Sequence, residues 1–433
     1  VSLVLFSLIL QKKNRYGENR LRADGLLEYP CRTLASLFSP AIFYGEKLSS
    51  IRKIIKQNIQ EEFARNSLIR TIPQQGRNNA RLVLTLMKIL DGKPVENLTG
   101  LYVPSNALDV MTDIAIASPA VCAYRQSGNE EDAQMVAKAV VSVFNKPESA
   151  AVIDLMYNKK NDDNYYESVL DYCAIGNLQA VLDEYLYMAP ENKKLGQVVT
   201  DAIIGTSNLS IDTTDSLGKE EKKQLMRCHF AIPFIDKTVT DKSVTRTTNI
   251  RKAFNSPFRP FLLSTTSIGQ EGLDFHWYAR KIVHWNLPSN PVDLEQREGR
   301  INRFKCLAIR RNVVKLYASE TYHTWDELFS MAYSNLKGMH SDIVPYWCLP
   351  VAELTEEQRA KLEYIERIVP LYPLSRDRYK YERLIKVLAL YRMTLGQPRQ
   401  EELLSLLRNM HLSDEQLKEL TIDLCPYNKI ESL

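Results

Sequence analysis

The sequence predicts an α/β domain with a largely parallel sheet, set between a large helical region and a helical tail. Before about residue 200, apolar residues recur at the spacing of amphipathic helices. Between about 205 and 345, short apolar runs alternate with helical patterns, as in a parallel α/β sheet. We therefore predict a mostly helical region over 1–200, the α/β domain over 201–345 and a helical C-terminal extension over 346–433.

Bulk composition is that of an ordinary soluble globular protein. Of 433 residues, 45% are hydrophobic and 25% are charged, and this length suffices for about two or three domains. Only 16 residues are Gly, which favours long helices over a loop-rich all-β fold. Because the formal net charge is only +4, any nucleic-acid binding has to come from local basic stripes.

Cysteine usage and the N-terminal residues favour a cytoplasmic protein without a membrane partner. The seven cysteines form no Cys-x-x-Cys pair, which argues against a zinc ribbon or a disulfide framework. The apolar run over residues 1–10 is shorter than the roughly 20 residues that cross a bilayer. Its basic neighbours follow it, whereas those of a secretory signal precede the apolar run. We expect residues 1–10 to form a buried helix or strand.

Several segments carry clear secondary-structure patterns. A helix over 48–64 would place five apolar residues on one stripe, namely Leu48, Ile51, Ile54, Ile55 and Ile59. Residues 77–90 repeat this pattern, and residues 165–188 form two predicted helices with a break near Gly176 and Asn177. The predicted strands of the α/β domain cover 228–234, 261–264, 282–285 and 313–317. Helices over 376–394 and 401–410 are predicted in the tail.

The first candidate site is the loop after the predicted buried strand 261–263. It contains hydroxyl residues and glycines and closes on a carboxylate; its members are Ser264, Thr265, Thr266, Ser267, Gly269, Gly272 and Asp274. Ligands of open α/β sheets sit beyond the carboxyl ends of the strands. Hydroxyls and glycines there allow a phosphate or a sugar-phosphate backbone to approach closely.

The second candidate site is a helix that we expect to begin at Pro291 with Asn290 as its N-cap. Gln296, Arg300 and Arg303 follow at spacing i, i+4, i+7, so a continued helix would place them within a stripe roughly 60° wide. Two guanidiniums and an amide on one face are the donor set that a polyphosphate requires. Gly299 lies beside them and, without a side chain, would leave room for the phosphate groups to approach.

These two segments resemble motifs of superfamily 2 helicases. Residues 296–303, Gln-Arg-Glu-Gly-Arg-Ile-Asn-Arg, resemble motif VI (Q-x-x-G-R-x-x-R), and residues 264–275 resemble motif V. Residues 245–254 resemble the segment that precedes motif V. The match covers about residues 227–318 and is nearest to the Swi/Snf-like and bacterial helicase-related branches. It implies the second RecA-like lobe, a sheet of the P-loop NTPase type, with residues 1–200 as an insertion between lobes.

The resemblance also implies roles for particular residues in ATP hydrolysis. Arg300 and Arg303 would contact the ATP phosphates, with Arg303 as the arginine finger that stabilises charge on the transferring phosphoryl group. Gln296 would help to sense the nucleotide. Gly272 and Asp274 would lie near the nucleotide, at the interface between the lobes.

The resemblance assigns a second group of residues to contacts with nucleic acid. The resemblance implies that Thr265, Thr266 and Gly269 face DNA or RNA, with DNA favoured, or couple it to the nucleotide. The aromatic residues nearby could stack bases, but packing against the sheet is the favoured interpretation. They are Phe275, Trp277, Tyr278 and Trp285.

The phosphate loop G-x-x-x-x-G-K-[ST] and the magnesium-binding carboxylate pair of a first lobe are missing from the sequence. Gly92-Lys93 is followed by Pro and Gly218-Lys219 by Glu, and Asp183-Glu184 lies in a helical pattern. We therefore expect ATP and Mg²⁺ to be bound mainly by a first RecA-like lobe upstream. The chain begins with Val1, and we expect it to start after that lobe.

Other readings of the basic and histidine residues remain open. The run 297–311 contains six cations and one acid, and such a run is commonly a solvated face. Arg310 and Arg311 could touch a nucleic-acid backbone or simply lie on the surface. We expect no metal site at His276 and His284, because His284 lies in an apolar strand and is better explained as a core histidine.

Three functional hypotheses follow. The first is a motor lobe of a helicase or translocase. The second is a catalytically inactive, helicase-like protein that binds nucleic acid or acts as a scaffold. A third, a metal-dependent hydrolase, ranks last because the sequence has no clustered ligand set. A G-x-x-x-x-G-K-[ST] loop in the upstream coding sequence would favour the motor over the scaffold.

We predict that these 433 residues, purified alone, have no appreciable ATPase activity, because the residues that cradle ATP and Mg²⁺ belong to another lobe. Phosphate release, measured with and without single-stranded and duplex nucleic acid, tests this expectation. Robust turnover stimulated by nucleic acid would contradict the account of a missing first lobe.

Overall fold

A computed structural model describes fourteen segments of the chain and a few isolated residues after 410. The segments are 27–28, 47–65, 107–157, 165–189, 194–203, 207–211, 224–228, 251–258, 261–265, 274–318, 324–336, 343–351, 354–394 and 398–410. The chain divides into two compact units, Val1–Gly205 with Ser319–Trp325, and Thr206–Ala318 with Asp326–Leu433. The proposed division at 200 and 345 stays a prediction. None of the helices in the described segments is long and apolar enough to cross a membrane.

The described part of the first unit is helical. Its helices are α1 (Leu48–Arg65), α2 (Ala107–Ala117), α3 (Pro119–Ser127), α4 (Glu130–Phe144), α5 (Pro147–Tyr157), α6 (Tyr165–Ile175), α7 (Leu178–Met188) and α8 (Leu195–Ala202). α1 packs on α2, α2 on α6, and α4 on both α3 and α8. The predicted helical character of this region is confirmed where the structure describes it.

The stripe predicted for α1 is largely confirmed. Ile51, Ile55 and Ile59 are at most 2% exposed, and they join one hydrophobic core with residues of α2 and α6. Ile54 is 38% exposed and lies outside this core. Ile51, Ile55 and Ile59 lie four residues apart in the sequence, so their side chains share one helix face.

The predicted break between two helices near residue 176 is also confirmed. Asn177 adopts a left-handed conformation (φ 50°), which ends α6, and its side-chain oxygen accepts a hydrogen bond from the backbone N–H of Ala180 at 3.3 Å, which caps α7. Asp183 and Glu184 lie within α7, as expected from their helical pattern. Asp183 accepts a hydrogen bond from Gln179 at 2.8 Å.

The second unit combines short strands with helices. Its strands are β1 (Ser207–Ile211), β2 (Gln224–Cys228), β3 (Lys281–Val283) and β4 (Glu366–Ile368). Its helices are α9 (Pro291–Glu298), α10 (Leu307–Tyr317), α11 (Trp325–Asn335, whose first residue belongs to the first unit), α12 (Glu356–Lys361), α13 (Asp377–Met393) and α14 (Gln400–Asn409). α9 packs on α13, and α13 packs on α14.

Sheet pairing among the described residues is limited to two pairs of strands. β1 and β2 are antiparallel, with Ser207 opposite Cys228. β3 and β4 are parallel, with Lys281 opposite Glu366 and Val283 opposite Ile368. The α/β character of the domain is thus present, and β3 confirms the predicted strand at 282–285. β4 was not predicted, and it lies in the segment expected to be helical.

Two predicted strands are wrong. Residues 261–264 form no described strand, and Phe261 and Leu262 are 80% and 79% exposed, not buried. Residues 313–317 belong to helix α10. The paired valines there suggested a strand, but the buried residues of α10 include Leu307, Arg310 and Val313, whose spacing of three places them on one helix face.

The predicted helices of the tail are confirmed as α13 and α14. Other predictions fall outside the described residues: the run 1–10, the helix 77–90, the strand 228–234 beyond Cys228, residues 245–250 of the segment that precedes the motif V-like loop, and the Gly-Lys pairs at 92–93 and 218–219.

We predict that Ile55→Ala lowers the free energy of unfolding of the first unit by about 3 kcal/mol, because a fully buried isoleucine leaves a cavity. Ile54→Ala is the matched control and should cost less than about 1 kcal/mol, since Ile54 is partly exposed. Urea denaturation followed by circular dichroism measures both. Equal losses would contradict the assignment of the buried face of α1.

Candidate functional site

Helix α9 begins as the sequence predicts. The side chain of Asn290 accepts a hydrogen bond from the backbone N–H of Val292 at 3.0 Å, and Pro291 occupies the first helical position. α9 ends at Glu298, and Gly299 continues with right-handed backbone angles (φ −61°, ψ −13°). Its eight residues are too few to form a stable helix alone.

The predicted continuation of this helix through Arg303 is wrong. Arg300 and Arg303 lie in the turn after α9, so they do not share a helical stripe with Gln296. The carbonyl of Arg300 accepts a hydrogen bond from the N–H of Phe275 at 3.0 Å. A tertiary contact therefore takes the acceptor that the next helical turn would have used.

Two backbone hydrogen bonds join the segment after the loop to the segment after α9. Besides the Phe275–Arg300 bond, the N–H of Leu307 donates to the carbonyl of His276 at 3.0 Å. The side chain of buried Asn255 donates to the carbonyl of Asp274 at 2.6 Å. These contacts hold the backbone of Asp274 next to the turn that carries both arginines.

An ion pair connects the two motif-like segments. The Nη2 atom of Arg303 lies 3.2 Å from Oδ1 of Asp274, and the side chains are 38% and 39% exposed. The Nε atom of Arg303 is buried and has no hydrogen-bond partner among the described residues. Arg303 thus lies at the surface with its guanidinium oriented by a carboxylate.

The structure describes three of the other predicted site residues. Gln296 is exposed on α9, and Arg300 is half-buried in the following turn. Thr265 is exposed. Thr266, Gly269 and Gly272 lie outside the described residues.

Arg310 is a structural residue and not a surface contact for nucleic acid. It is 0% exposed. Its guanidinium donates to the carbonyl of Lys305 at 2.7 Å and to the carbonyl of Trp277, and it lies 5.5 Å from the ring centre of Tyr278. Its neighbour Arg311 is half-exposed and pairs with Glu363 at 2.8 Å. Arg310 therefore ties the segment after the loop to the segment before α10.

His276 lies in this positively charged environment. Burial lowers its pKa to about 4; Asp274 opposes the change, whereas Arg310, Arg303 and Arg251 favour it. The imidazole is therefore neutral near pH 7 and adds no charge beside Arg303. No group of three potential metal ligands exists within the described part of the chain.

His284 and Glu298 form a second polar contact at the end of α9. His284 is 2% exposed, in agreement with its interpretation as a core histidine, and its Nε2 atom lies 3.2 Å from Oε1 of Glu298. Burial raises the pKa of Glu298, but hydrogen bonds from His284 and Arg367 outweigh this effect and lower it to about 2. Glu298 is therefore ionised near pH 7.

Sequence reasoning missed three residues that shape this site. Asn255 holds Asp274, Arg367 pairs with Glu298, and Arg392 pairs with Glu295 of α9. The two arginines are separated from their partners by 69 and 97 residues. No local pattern connects such distant positions.

The comparisons with known proteins agree with the motifs. A family model described as the helicase conserved C-terminal domain matches residues 203–305. This range contains both motif-like segments and ends two residues after Arg303. Neither the curated proteins nor the solved structures gave a match.

We predict that Arg310→Met lowers the free energy of unfolding of the second unit by about 3 kcal/mol, because two partly buried backbone carbonyls lose the donor that the buried guanidinium provides. Arg311→Met is the control and should cost less than about 1 kcal/mol, since the Arg311 side chain is 49% exposed and Glu363 keeps its ion pair with Lys315. Chemical denaturation of both variants measures the difference. If both losses were small, the buried role of Arg310 would be refuted.

Proposed function

We propose that the helicase C-terminal lobe at residues 203–305 acts as the second motor lobe of an ATP-dependent helicase or translocase of superfamily 2. ATP would bind in a cleft between this lobe and a first lobe that carries the phosphate loop. Hydrolysis would then open and close the cleft and move nucleic acid along the lobe.

The contact between Asp274 and Arg303 is the observation that carries this proposal. It brings the end of the motif V-like segment and the end of the motif VI-like segment within 3.2 Å at a partly exposed position. A phosphate could take the place of the carboxylate as the partner of Arg303, because guanidinium binds both groups with the same geometry. Arg303 is accordingly the proposed arginine finger.

Neighbouring residues complete the proposed nucleotide site. Arg300 lies three residues before Arg303 in the turn after α9, and Gln296 is exposed near the end of α9. Both offer donors to phosphate oxygens, which fits the chemistry of ATP. Gly272 is proposed to lie beside the nucleotide. Mg²⁺ is assigned to the first lobe, where it would neutralise charge on the phosphates.

The proposed nucleic-acid contacts come from the motif V-like loop. Thr265 is exposed within it, and Thr266 and Gly269 follow in the sequence. Hydroxyls and a glycine can approach a sugar-phosphate backbone without reading its sequence. We favour DNA over RNA, and a cytoplasmic location.

Arg303→Ala in the full-length natural protein tests the finger. We expect kcat for ATP hydrolysis to fall by about 10³-fold, because charge on the transferring phosphoryl group loses its stabilisation. Nucleotide binding, measured by fluorescence titration, should change little. Arg303→Lys should recover only a small part of the activity, since a lysine lacks the planar fork of donors.

Arg378→Ala is the matched control, because Arg378 is 82% exposed and pairs with Glu382 on the same helix. It should leave kcat unchanged. Unchanged turnover in Arg303→Ala would remove the finger assignment. A full-length wild type that binds nucleic acid without hydrolysing ATP would instead favour an inactive scaffold.

A further inference from the structure

We propose that residues 362–368, which we name the anchoring segment, hold the motif VI-like helix α9 in its working position together with Arg392. Arg367 and Arg392 are then positioning residues for Arg300 and Arg303. This proposal rests on the proposed function. It assigns to the region after the matched domain a role inside the motor lobe.

The anchoring segment is attached to β3 by its backbone. β4 pairs in parallel with β3, with Ile282 opposite Arg367. The N–H of Glu366 donates to the carbonyl of Arg280 at 2.8 Å, and the N–H of His284 donates to the carbonyl of Ile368 at 2.9 Å. The segment therefore supplies the second strand of the parallel sheet that β3 forms.

A second attachment joins the segment to α10. Glu363 accepts from Arg311 and Lys315, each at 2.8 Å, and pairs with Arg280 at 3.0 Å. The side chain of Asn312 bonds both the N–H and the carbonyl of Glu363, at 2.7 and 2.8 Å. Both the backbone and the side chain of Glu363 are thus bound to residues of α10. These contacts fix the register of the following strand β4 against β3.

From this position Arg367 reaches the end of α9. Its Nη2 donates to Oε2 of Glu298 at 2.7 Å, and its Nε donates to Oε1, so the pair is bidentate. Oε1 also faces buried His284. Glu298 immediately precedes Gly299 and Arg300, so this pair lies where the helix becomes the turn.

Arg392 of α13 provides the second contact. Its Nη2 lies 2.5 Å from Oε1 of Glu295, and its Nε lies 3.2 Å from the same atom. Glu295 and Glu298 are three residues apart and so project from one face of α9. Both carboxylates face residues that follow the matched domain, which leaves exposed Gln296 on another part of the surface.

These pairs matter because α9 has only eight residues. A helix of this length depends on tertiary contacts for its stability. The side chains of the Arg367 pair are 29% and 20% exposed, so solvent screens them less than a typical surface pair. Loss of Arg367 would leave an ionised Glu298 beside a buried imidazole without its guanidinium partner.

Hydrogen exchange on the 433-residue chain tests the anchoring directly. We expect Arg367→Gln to increase amide exchange over residues 299–303 by about tenfold, because the turn after α9 opens more often. Arg367→Lys should give a smaller increase, since it keeps the charge without the bidentate geometry. Arg378→Gln is the control and should leave exchange unchanged. Unchanged exchange in Arg367→Gln overturns the proposal.

ATP hydrolysis by the full-length natural protein tests the positioning. We expect Arg367→Gln to lower kcat by about tenfold while the KM for ATP changes less than twofold, at a temperature where thermal unfolding shows the variant to be folded. Arg392→Gln should have the same kind of effect. If Arg367 only stabilised the fold, the variant would contain less folded protein. Its kcat per folded molecule would then equal that of wild type.

The outcomes separate this proposal from the proposed function. If Arg303→Ala abolishes turnover but Arg367→Gln keeps the wild-type kcat, the positioning proposal is wrong and the motor lobe stands. If wild type shows no ATPase activity, the proposed function fails, and the exchange experiment still decides whether the segment anchors α9.

Discussion

The end of helix α9 at Glu298 is the constraint on which the candidate site depends. The carboxylate of Glu298 accepts hydrogen bonds from Arg367 and faces buried His284, and the chain turns immediately afterwards at Gly299. The carbonyl of Arg300 accepts a hydrogen bond from the N–H of Phe275, and the chain after α9 forms a turn in place of a further turn of helix. Arg303 consequently comes beside Asp274 instead of projecting from a longer helix.

Electrostatics and burial divide the basic residues of this region into two kinds. Arg310 is fully buried and serves as a donor to backbone carbonyls. Arg303 is partly exposed and has a single carboxylate as its ionic partner among the described residues. A buried guanidinium stabilises the backbone by donating hydrogen bonds to carbonyl groups. A partly exposed guanidinium can replace its carboxylate partner with another anion, such as a phosphate. In the sequence, Arg303 and Arg310 are two arginines of the same basic run, and this difference between them is not visible.

The sequence was sufficient to predict those elements that are specified by residues close to one another in the chain. The cap at Asn290 and Pro291, the break at Asn177 and the buried stripe of α1 depend on residues within one or two turns, and all three were predicted. The predictions failed where contacts between residues far apart in the sequence determine the secondary structure. Residues 261–264 have the composition of a strand but no described partner strand, and residues 313–317 have the valines of a strand but bury a helical face.

The two motif-like segments, their order and the chemical types of their residues can be read directly from the chain, because they are properties of the covalent sequence. It also showed the helical character of the flanks. Three features became known from the fold: α9 stops before Arg300, Arg310 is buried, and a strand of the C-terminal region pairs with β3. Each of these depends on hydrogen bonds or ion pairs between residues that lie far apart in the sequence, and such partners are chosen by packing, which no local pattern records.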